Sequence, residues 1–249
     1  MQWLRPGDSI DDPLAPYAAV SRVAHEDRPH VVANMVGGLD GSAAVSGRVG
    51  VLSGPADARL LTELRSIADV VLVGARTVRQ ERYGPVKLPD RLRGERIAQG
   101  RPPTPRIAVV SRSLDFDWSI PLFSTADAQN RAYVITAGTT DRARLDVARE
   151  HAEVIVAGDT TVDLRQAVSA FHAGGAEVVL CEGGPTLLGE LAASDLLDEL
   201  CLSITPLMGG DPLPLSLAPA GAPLARFVLA HALVDDSDLF LRYERRTDP

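Results

Sequence analysis

The chain has 249 residues, 45% of them hydrophobic, and a formal net charge of −8. That length supports one large domain or two small ones, and the acidic balance argues against a general nucleic-acid surface, which needs a basic patch. No apolar segment approaches the ~20 residues of a membrane span, and the first residues, MQWLRPGDSIDDPL, lack the apolar centre of a signal peptide, so a cytoplasmic protein is expected.

Residues 1–28 are polar and proline-bearing; they read as an extended lead-in with a short helix near residues 17–25, followed by a single domain over 29–249. HVVANM, residues 30–35, is the first strand, and Val36-Gly37-Gly38-Leu39-Asp40-Gly41 follows it, with Asp-Gly a strong turn signal. Asn34 is then either a core amide satisfied by backbone or a polar group beside a site, and Asp40 is a turn residue or a site carboxylate. Residues 42–53 read as a flap. Gly54-Pro55 opens a helix whose apolar or small face is Ala58, Leu61, Leu64 and Ala68, with Arg65 just off it. A strand, DVVLV, runs into Gly74-Ala75-Arg76-Thr77, a strand–glycine–helix junction able to receive phosphate or ribose. Residues 80–100 form a charged segment too long for an idle connection.

RIAVVS, residues 106–111, is the next strand, ending at Ser111 and followed by Arg112. AYVIT at 132–136, a helix capped by Asp141, a strand at 153–156 and a helix from Asp163 to the Gly174-Gly175 stop continue the β-α alternation of a mostly parallel sheet. The run Val178 to Cys181 is a short buried strand, and Glu182-Gly183-Gly184-Pro185-Thr186-Leu187 carries it into a helix. Glycines at a helix start let a phosphate approach unpaired N–H groups, and Thr186 adds a hydroxyl. Glu182 is costly at the end of a buried strand unless it has a partner, and it stands where open α/β sheets bind ligands. A strand near residues 200–205 and an antiparallel pair, residues 226–233 and 239–244, close the chain. Cys181 and Cys201 each fall within a strand and read as buried free thiols. The five histidines show no metal-ligand spacing, the H-x-E…P-C-x-x-C deaminase signature is absent, and no G-x-S-x-G elbow occurs.

E-G-G-P-T-L-L-G, then L-x-D-E-L at residues 196–200, then P-x-x-G-G at 206–210, resemble the reductase domain of bacterial riboflavin biosynthesis, within a pyrimidine reductase family that includes stand-alone actinobacterial members. The resemblance runs from about Val31 to Tyr243. It implies an α/β fold of dihydrofolate-reductase type, with three layers, a mostly parallel mixed sheet and a C-terminal antiparallel pair. It implies NADPH as cofactor, held by Val36 and Gly37 after the first strand, by Gly74, Arg76 and Thr77, by Ser111 and Arg112, and by Gly183, Gly184, Pro185, Thr186 and Leu187. Arg112, or otherwise an exposed loop arginine, suits a 2′-phosphate. Asn34, Asp40, Arg65, Glu81 and Glu182 become substrate residues, with Glu182 catalytic, although Arg65 also reads as a solvated helix arginine. The long charged segment departs from the family: its Asp-Pro is missing, Glu81 stands near the acidic position, and the phosphate-binding arginine has only Arg82 and Lys87 as substitutes. No metal is expected. The implied activity is reduction of a pyrimidine- or pterin-like molecule, as by a 5-amino-6-(5-phosphoribosylamino)uracil reductase, with a homodimer as the assembly. The alternatives are dihydrofolate reduction and an NADP-binding protein without turnover.

Overall fold

A computed structural model describes residues 10, 12–81, 83–125 and 130–246. Nine strands form one sheet in the order β5-β4-β3-β2-β6-β1-β7-β9-β8. Its parallel part consists of β1 (His30–Gly37), β2 (Val70–Gly74), β3 (Arg106–Val110), β4 (Tyr133–Thr136), β5 (Glu153–Val156), β6 (Val178–Cys181) and β7 (Glu199–Ile204). Of its central strands, β2 and β6 read as unbroken apolar runs because both their faces are covered, and β1 is interrupted at Asn34 alone between His30 and its C-terminal end. β9 (Asp238–Arg245) pairs antiparallel with β7, and β8 (Phe227–Asp235) pairs antiparallel with β9. The expected fold, a mostly parallel mixed sheet closed by an antiparallel pair, is the one observed.

Two core clusters make the three layers. Alternate strand residues Val32, Val71, Val73, Val109, Leu180 and Cys201 pack against Leu60 and Leu64 of α2 (Pro55–Ile67) and Leu92 of α4 (Asp90–Ala98). The opposite parity, Val31, Ala33, Leu72, Val179 and Cys181, packs against α7 (Leu164–Ala173) and α8 (Pro185–Ala193). Asp141 caps α6 (Arg142–His151) by accepting from the Arg144 N–H at 3.0 Å, and Asp163 caps α7 through the Arg165 and Gln166 N–H groups. Cys181 and Cys201 are free and buried. No helix among the described residues is long and apolar enough to cross a membrane.

Three local expectations are corrected. The lead-in helix, α1, covers Ala15–Ala18 rather than residues 17–25. Beyond it the chain is drawn out by ion pairs: Arg22 reaches Glu199 at 2.7 and 3.0 Å, and Arg28 reaches Asp198 at 2.6 and 2.8 Å. On α2 the buried residues are Asp57, Leu60, Leu64 and Ser66, while Ala58 is exposed and Leu61 is half-buried beside a cleft. The helix is rotated because Asp57 is buried through hydroxyl hydrogen bonds, which a hydrophobic pattern cannot register. The charged segment opens on the last residues of α3 (Ala75–Glu81), the helix expected after Gly74, and contains α4. α4 is fastened by Arg96, 2% exposed, which donates to the carbonyls of Ser66, Ala68 and Pro102 and so closes the C-terminal end of α2. A short α5 (Pro121–Ser124), which no sequence pattern marks, lies between β3 and β4.

Candidate active site

The turn between β6 and α8 is built from backbone. The Glu182 N–H donates to the Leu72 carbonyl at 3.0 Å and the Gly74 N–H to the Gly183 carbonyl at 2.8 Å, which locks the ends of β2 and β6 side by side. The Gly183–Gly184 peptide is cis, and Gly183 has φ +88°. A Cβ on Gly183 would also stand 3.2 Å from the Met35 sulfur, so glycine is required there. Gly184, at the N-cap of α8, has φ −80° and ψ −167°, angles open to any residue. A Cβ there would lie 3.4 Å from the Thr77 hydroxyl.

Two hollows meet at this turn. A groove of about 780 Å³ runs along Gly74, Arg76 and Thr77, past Ser111 and Arg112, to Gly184, Pro185, Thr186 and Leu187. It brings together nine of the twelve residues expected to hold a cofactor. α8 begins in it with no side chain capping its N-terminus, which leaves its first N–H groups available to an anion. The Ser111 Oγ accepts from the Leu114 N–H at 3.0 Å and keeps its own proton to donate. Arg76 and Arg112 are exposed and form no ion pair among the described residues. Gly183 does not line the groove. Val36 faces the second hollow, and Gly37 is buried at the end of β1, where a Cβ would meet the Leu215 side chain at 2.9 Å.

The second hollow is a cleft of about 1270 Å³ that shares Arg76, Thr77, Gly184 and Pro185 with the groove. Asn34, Arg65, Glu81 and Glu182, four of the five residues named as substrate candidates, line it. Arg65 and Glu182 are bonded to each other: Arg65 Nε and Nη2 donate to Glu182 Oε1 and Oε2, both at 2.6 Å, and the Tyr83 hydroxyl donates to Oε2 at 2.7 Å. This partner set is what allows a carboxylate at that strand end. Burial, which would lower the Arg65 pKa, is outweighed by the bonds to Glu182, and the guanidinium is held charged. Burial and then the Glu182 charge push the Tyr83 phenol well above its ordinary value. Both therefore stay protonated as donors. Three donors thus converge on the two oxygens of Glu182.

Asp40 does not line the cleft. Its carboxylate accepts from the Ser42 N–H and hydroxyl at 3.0 and 2.6 Å and from the Gly209 and Gly210 N–H groups at 2.7 and 3.3 Å, and these bonds hold it well below the usual carboxylate range. It is a turn residue that fastens the β1 loop to the 209–210 loop. Asn34 is 8% exposed, with its Oδ1 lacking any hydrogen-bond partner among the described residues. Lys87 stands exposed at the cleft without a partner among the described residues, whereas Arg82 lies outside them. Residues 42–53 roof the cleft as a loop. Asp211 accepts from the Ser46 and Gly47 N–H groups at 2.9 and 2.7 Å, and Glu81 accepts from the Val49 N–H at 3.5 Å.

Sequence reading misses Tyr83 and Asp57. The signal for Tyr83 is an aromatic residue before Gly84-Pro85 inside a charged run; for Asp57 it is an acid in the first turn of a helix, a position usually explained by the helix dipole. Away from the cleft, the fold brings His25, His30 and Asp198 within 4.8 Å of one another, a grouping their spacing does not reveal. Both oxygens of Asp198 already accept from Arg28.

Comparison with known proteins decides the lineage: residues 29–241 match the RibD C-terminal domain family. The chain belongs to that family. It is an oxidoreductase of the riboflavin-pathway reductase type. It is 30% identical over 185 residues to the 2,5-diamino-6-ribosylamino-4(3H)-pyrimidinone 5′-phosphate reductase of Methanothermobacter thermautotrophicus, covering 74% of this chain and 80% of that one. The enzyme of the same name from Archaeoglobus fulgidus is 28% identical, with coverages of 74% and 83%. A solved pyrimidine reductase-like protein from Corynebacterium diphtheriae superposes with a TM-score of 0.80 and 31% identity, covering 96% of each chain. The riboflavin biosynthesis reductase of Saccharomyces cerevisiae shares the fold, with a TM-score of 0.64 at 15% identity and coverages of 94% and 96%.

Proposed function

We propose that this RibD-type reductase uses NADPH to reduce a phosphorylated aminopyrimidine of the kind named for its archaeal relatives. The observation that carries the reading is the meeting of groove and cleft at Thr77 and Gly184: a dinucleotide lying along the groove ends where the cleft begins.

The groove residues fit such a cofactor. The uncapped start of α8 and the hydroxyls of Thr77 and Thr186 suit a pyrophosphate, and Arg112 and Arg76 suit a 2′-phosphate. When bound, the nicotinamide supplies the hydride. The chain's own residues do the rest. Glu182 fixes the Arg65 guanidinium and the Tyr83 ring, so that Arg65 presents its remaining Nη1 edge to the cleft as a fixed cationic donor. Glu182 thereby acts as a positioning residue. Lys87, a cation without a partner among the described residues, stands on the substrate side and takes the part of phosphate anchor that the family's missing arginine leaves open. The loop of residues 42–53 excludes water from above. We read residues 29–249 as one reductase domain preceded by a lead-in clamped to it, in a cytoplasmic homodimer. Support for pairing comes from β8, the last strand of the sheet, where Val228, Leu229 and Val234 are 51%, 42% and 60% exposed; light scattering at micromolar concentration should give twice the chain mass.

The deciding experiment follows NADPH oxidation with the diaminopyrimidinone phosphate and with dihydrofolate. Turnover of the first supports the reading, and turnover of dihydrofolate alone supports the pterin alternative. A thermal shift with NADPH but no turnover of either would leave a cofactor-binding protein. NADPH should raise Tm more than NADH, and Arg112→Ala should narrow that difference.

A further inference from the structure

Glu190 is an acid in a groove whose other charged side chains are arginines. It is the sixth residue of α8 and half-buried. Thr186 and Leu187, one turn earlier, share its helix face, and all three line the groove. The other charged groups there are Arg76, Arg79 and Arg112. Arg79 is engaged, donating to the Asp115 carbonyl at 3.2 Å. The Glu190 carboxylate makes no hydrogen bond or ion pair among the described residues. Burial raises its pKa and the Arg112 charge opposes that rise, so the two groups sense each other without forming a salt bridge.

The groove has a direction. Arg76, Thr77, Gly184 and Pro185 are shared with the cleft, whereas Ser111, Arg112, Thr161 and Glu190 belong to the groove alone. A dinucleotide with its nicotinamide at the cleft and its pyrophosphate on the first N–H groups of α8 lays its adenosine ribose among the second set. Glu190 is five residues beyond Pro185, about 7.5 Å along the helix axis. That is on the scale of the separation between a pyrophosphate and the 2′-oxygen of its own ribose. Arg76 stands at the cleft end, which leaves Arg112 and Glu190 to meet the 2′ position.

We infer that Glu190 sets the cofactor selectivity of this reductase: it accepts a hydrogen bond from a 2′-hydroxyl and opposes a 2′-phosphate, holding the preference for NADPH below the level that Arg112 alone would give. The inference rests on the groove being the dinucleotide site. An acid at the ribose is how dinucleotide folds take NADH, and an arginine there is how they take NADPH; this groove holds both. An ionised carboxylate only accepts hydrogen bonds. Against a phosphate, itself an anionic acceptor, it offers no bond and a repulsion that a half-buried position screens incompletely. Arg112 supplies the attraction. Selectivity is then the difference of two opposed effects, and removing either one shifts it in a defined direction.

The test is calorimetry of NADP⁺ and NAD⁺ with wild type, Glu190→Gln, Glu190→Ala and Arg112→Ala, and it needs no substrate. Glu190→Gln keeps the side-chain size and a carbonyl acceptor for the 2′-hydroxyl. It should tighten NADP⁺ about tenfold and leave NAD⁺ within about threefold, raising the ratio of NADP⁺ to NAD⁺ affinity. Glu190→Ala should raise the ratio further, because NAD⁺ also loses its acceptor. Arg112→Ala should lower it. The two dinucleotides differ only at the 2′ position, so a general change in the charge or stability of the protein acts on both and does not mimic the result. The same ratio measured with 2′-phospho-ADP-ribose and ADP-ribose should shift equally, since neither carries the nicotinamide. An unchanged or lowered ratio in Glu190→Gln overturns the inference while the substrate reading stands. A raised ratio in a protein that turns over no pyrimidine phosphate supports the inference and removes the substrate reading. Binding of neither dinucleotide to wild type overturns both.

Discussion

Glu182 and Glu199 are both carboxylates taken out of water by arginines, one just past the C-terminal end of β6 and the other at the N-terminal end of β7. Glu199 is fully buried and accepts from Arg22 at 2.7 and 3.0 Å and from Arg242 at 2.9 and 3.3 Å, with His30 at 3.7 Å and the Cys201 thiol at 3.4 Å. Those guanidiniums are nearly as enclosed as the carboxylate, with 3% and 6% of their side chains exposed. Glu182 has one arginine and one tyrosine, and the Arg65 side chain is 24% exposed to the cleft. The same chemistry is a clamp in one place and a working surface in the other. The difference is what the cation faces: more protein at Glu199, an open hollow at Glu182. A buried ion pair by itself is weak support for function or for stability; its access to a cleft is what distinguishes the two.

Breaking the clamp should have the largest effect on the fold. Glu199→Gln leaves the enclosed Arg22 guanidinium without a counter-charge and Arg242 with Glu244 alone, and denaturant unfolding should register a loss of about 3 kcal/mol, with kcat/KM of the molecules still folded unchanged. The pH dependence sharpens this. Burial would raise the Glu199 pKa, but His30, Arg22 and Arg242 outweigh it and hold the carboxyl below its ordinary 4.5. A depressed folded-state pKa gives stability that is complete above the unfolded value and is lost as pH falls below it. Wild type should therefore lose stability on acidification below about pH 4.5, and Glu199→Gln should show a shallower loss over that range.

The same substitution at the cleft should divide its effect the other way. Glu182→Gln should lower kcat/KM about a hundredfold by releasing Arg65 and Tyr83 from their fixed positions. Stability should fall by only about 1–2 kcal/mol, because solvent reaches Arg65. NADPH affinity should hold within about twofold, since the groove does not include Glu182. An equal loss of cofactor affinity would mean that Glu182 serves the groove and not the cleft.

The smallest effects separate two adjacent glycines. Gly183→Ala places a Cβ at positive φ beside the Met35 sulfur and should cost about 1–2 kcal/mol in thermal or denaturant unfolding. Gly184→Ala meets no such backbone restriction and should leave stability nearly unchanged, while weakening NADPH about tenfold at the start of α8. As a sequence pattern, Gly183-Gly184 is one phosphate-approach motif; the structure divides it into a residue the turn requires and a residue that lines the groove.

Much of this protein is legible in its sequence because local patterns carry it. Apolar β-branched runs mark β1, β2, β3 and β6, stopped by glycine in all but β3, which runs into Ser111, and Asp141 and Asp163 announce the starts of α6 and α7. The ordered junctions G-A-R-T and E-G-G-P mark the two walls of the groove, which is why nine cofactor candidates fall together in it. α4 is illegible because its anchor is a charged side chain, Arg96, buried on carbonyls 28 and 30 residues away in sequence. By pattern, Asp40 and Glu182 are equivalent acids after strands. Only the fold gives one to turn N–H groups and the other to an arginine 117 residues distant. Strand runs, glycine junctions and family membership can be read from the chain unaided, since they depend on near neighbours. Tertiary packing settles which carboxylate is clamped, which orients an arginine and which, as at Asp57, is left facing a cleft without a cation, because the partner that sets a buried charge's role arrives from another element.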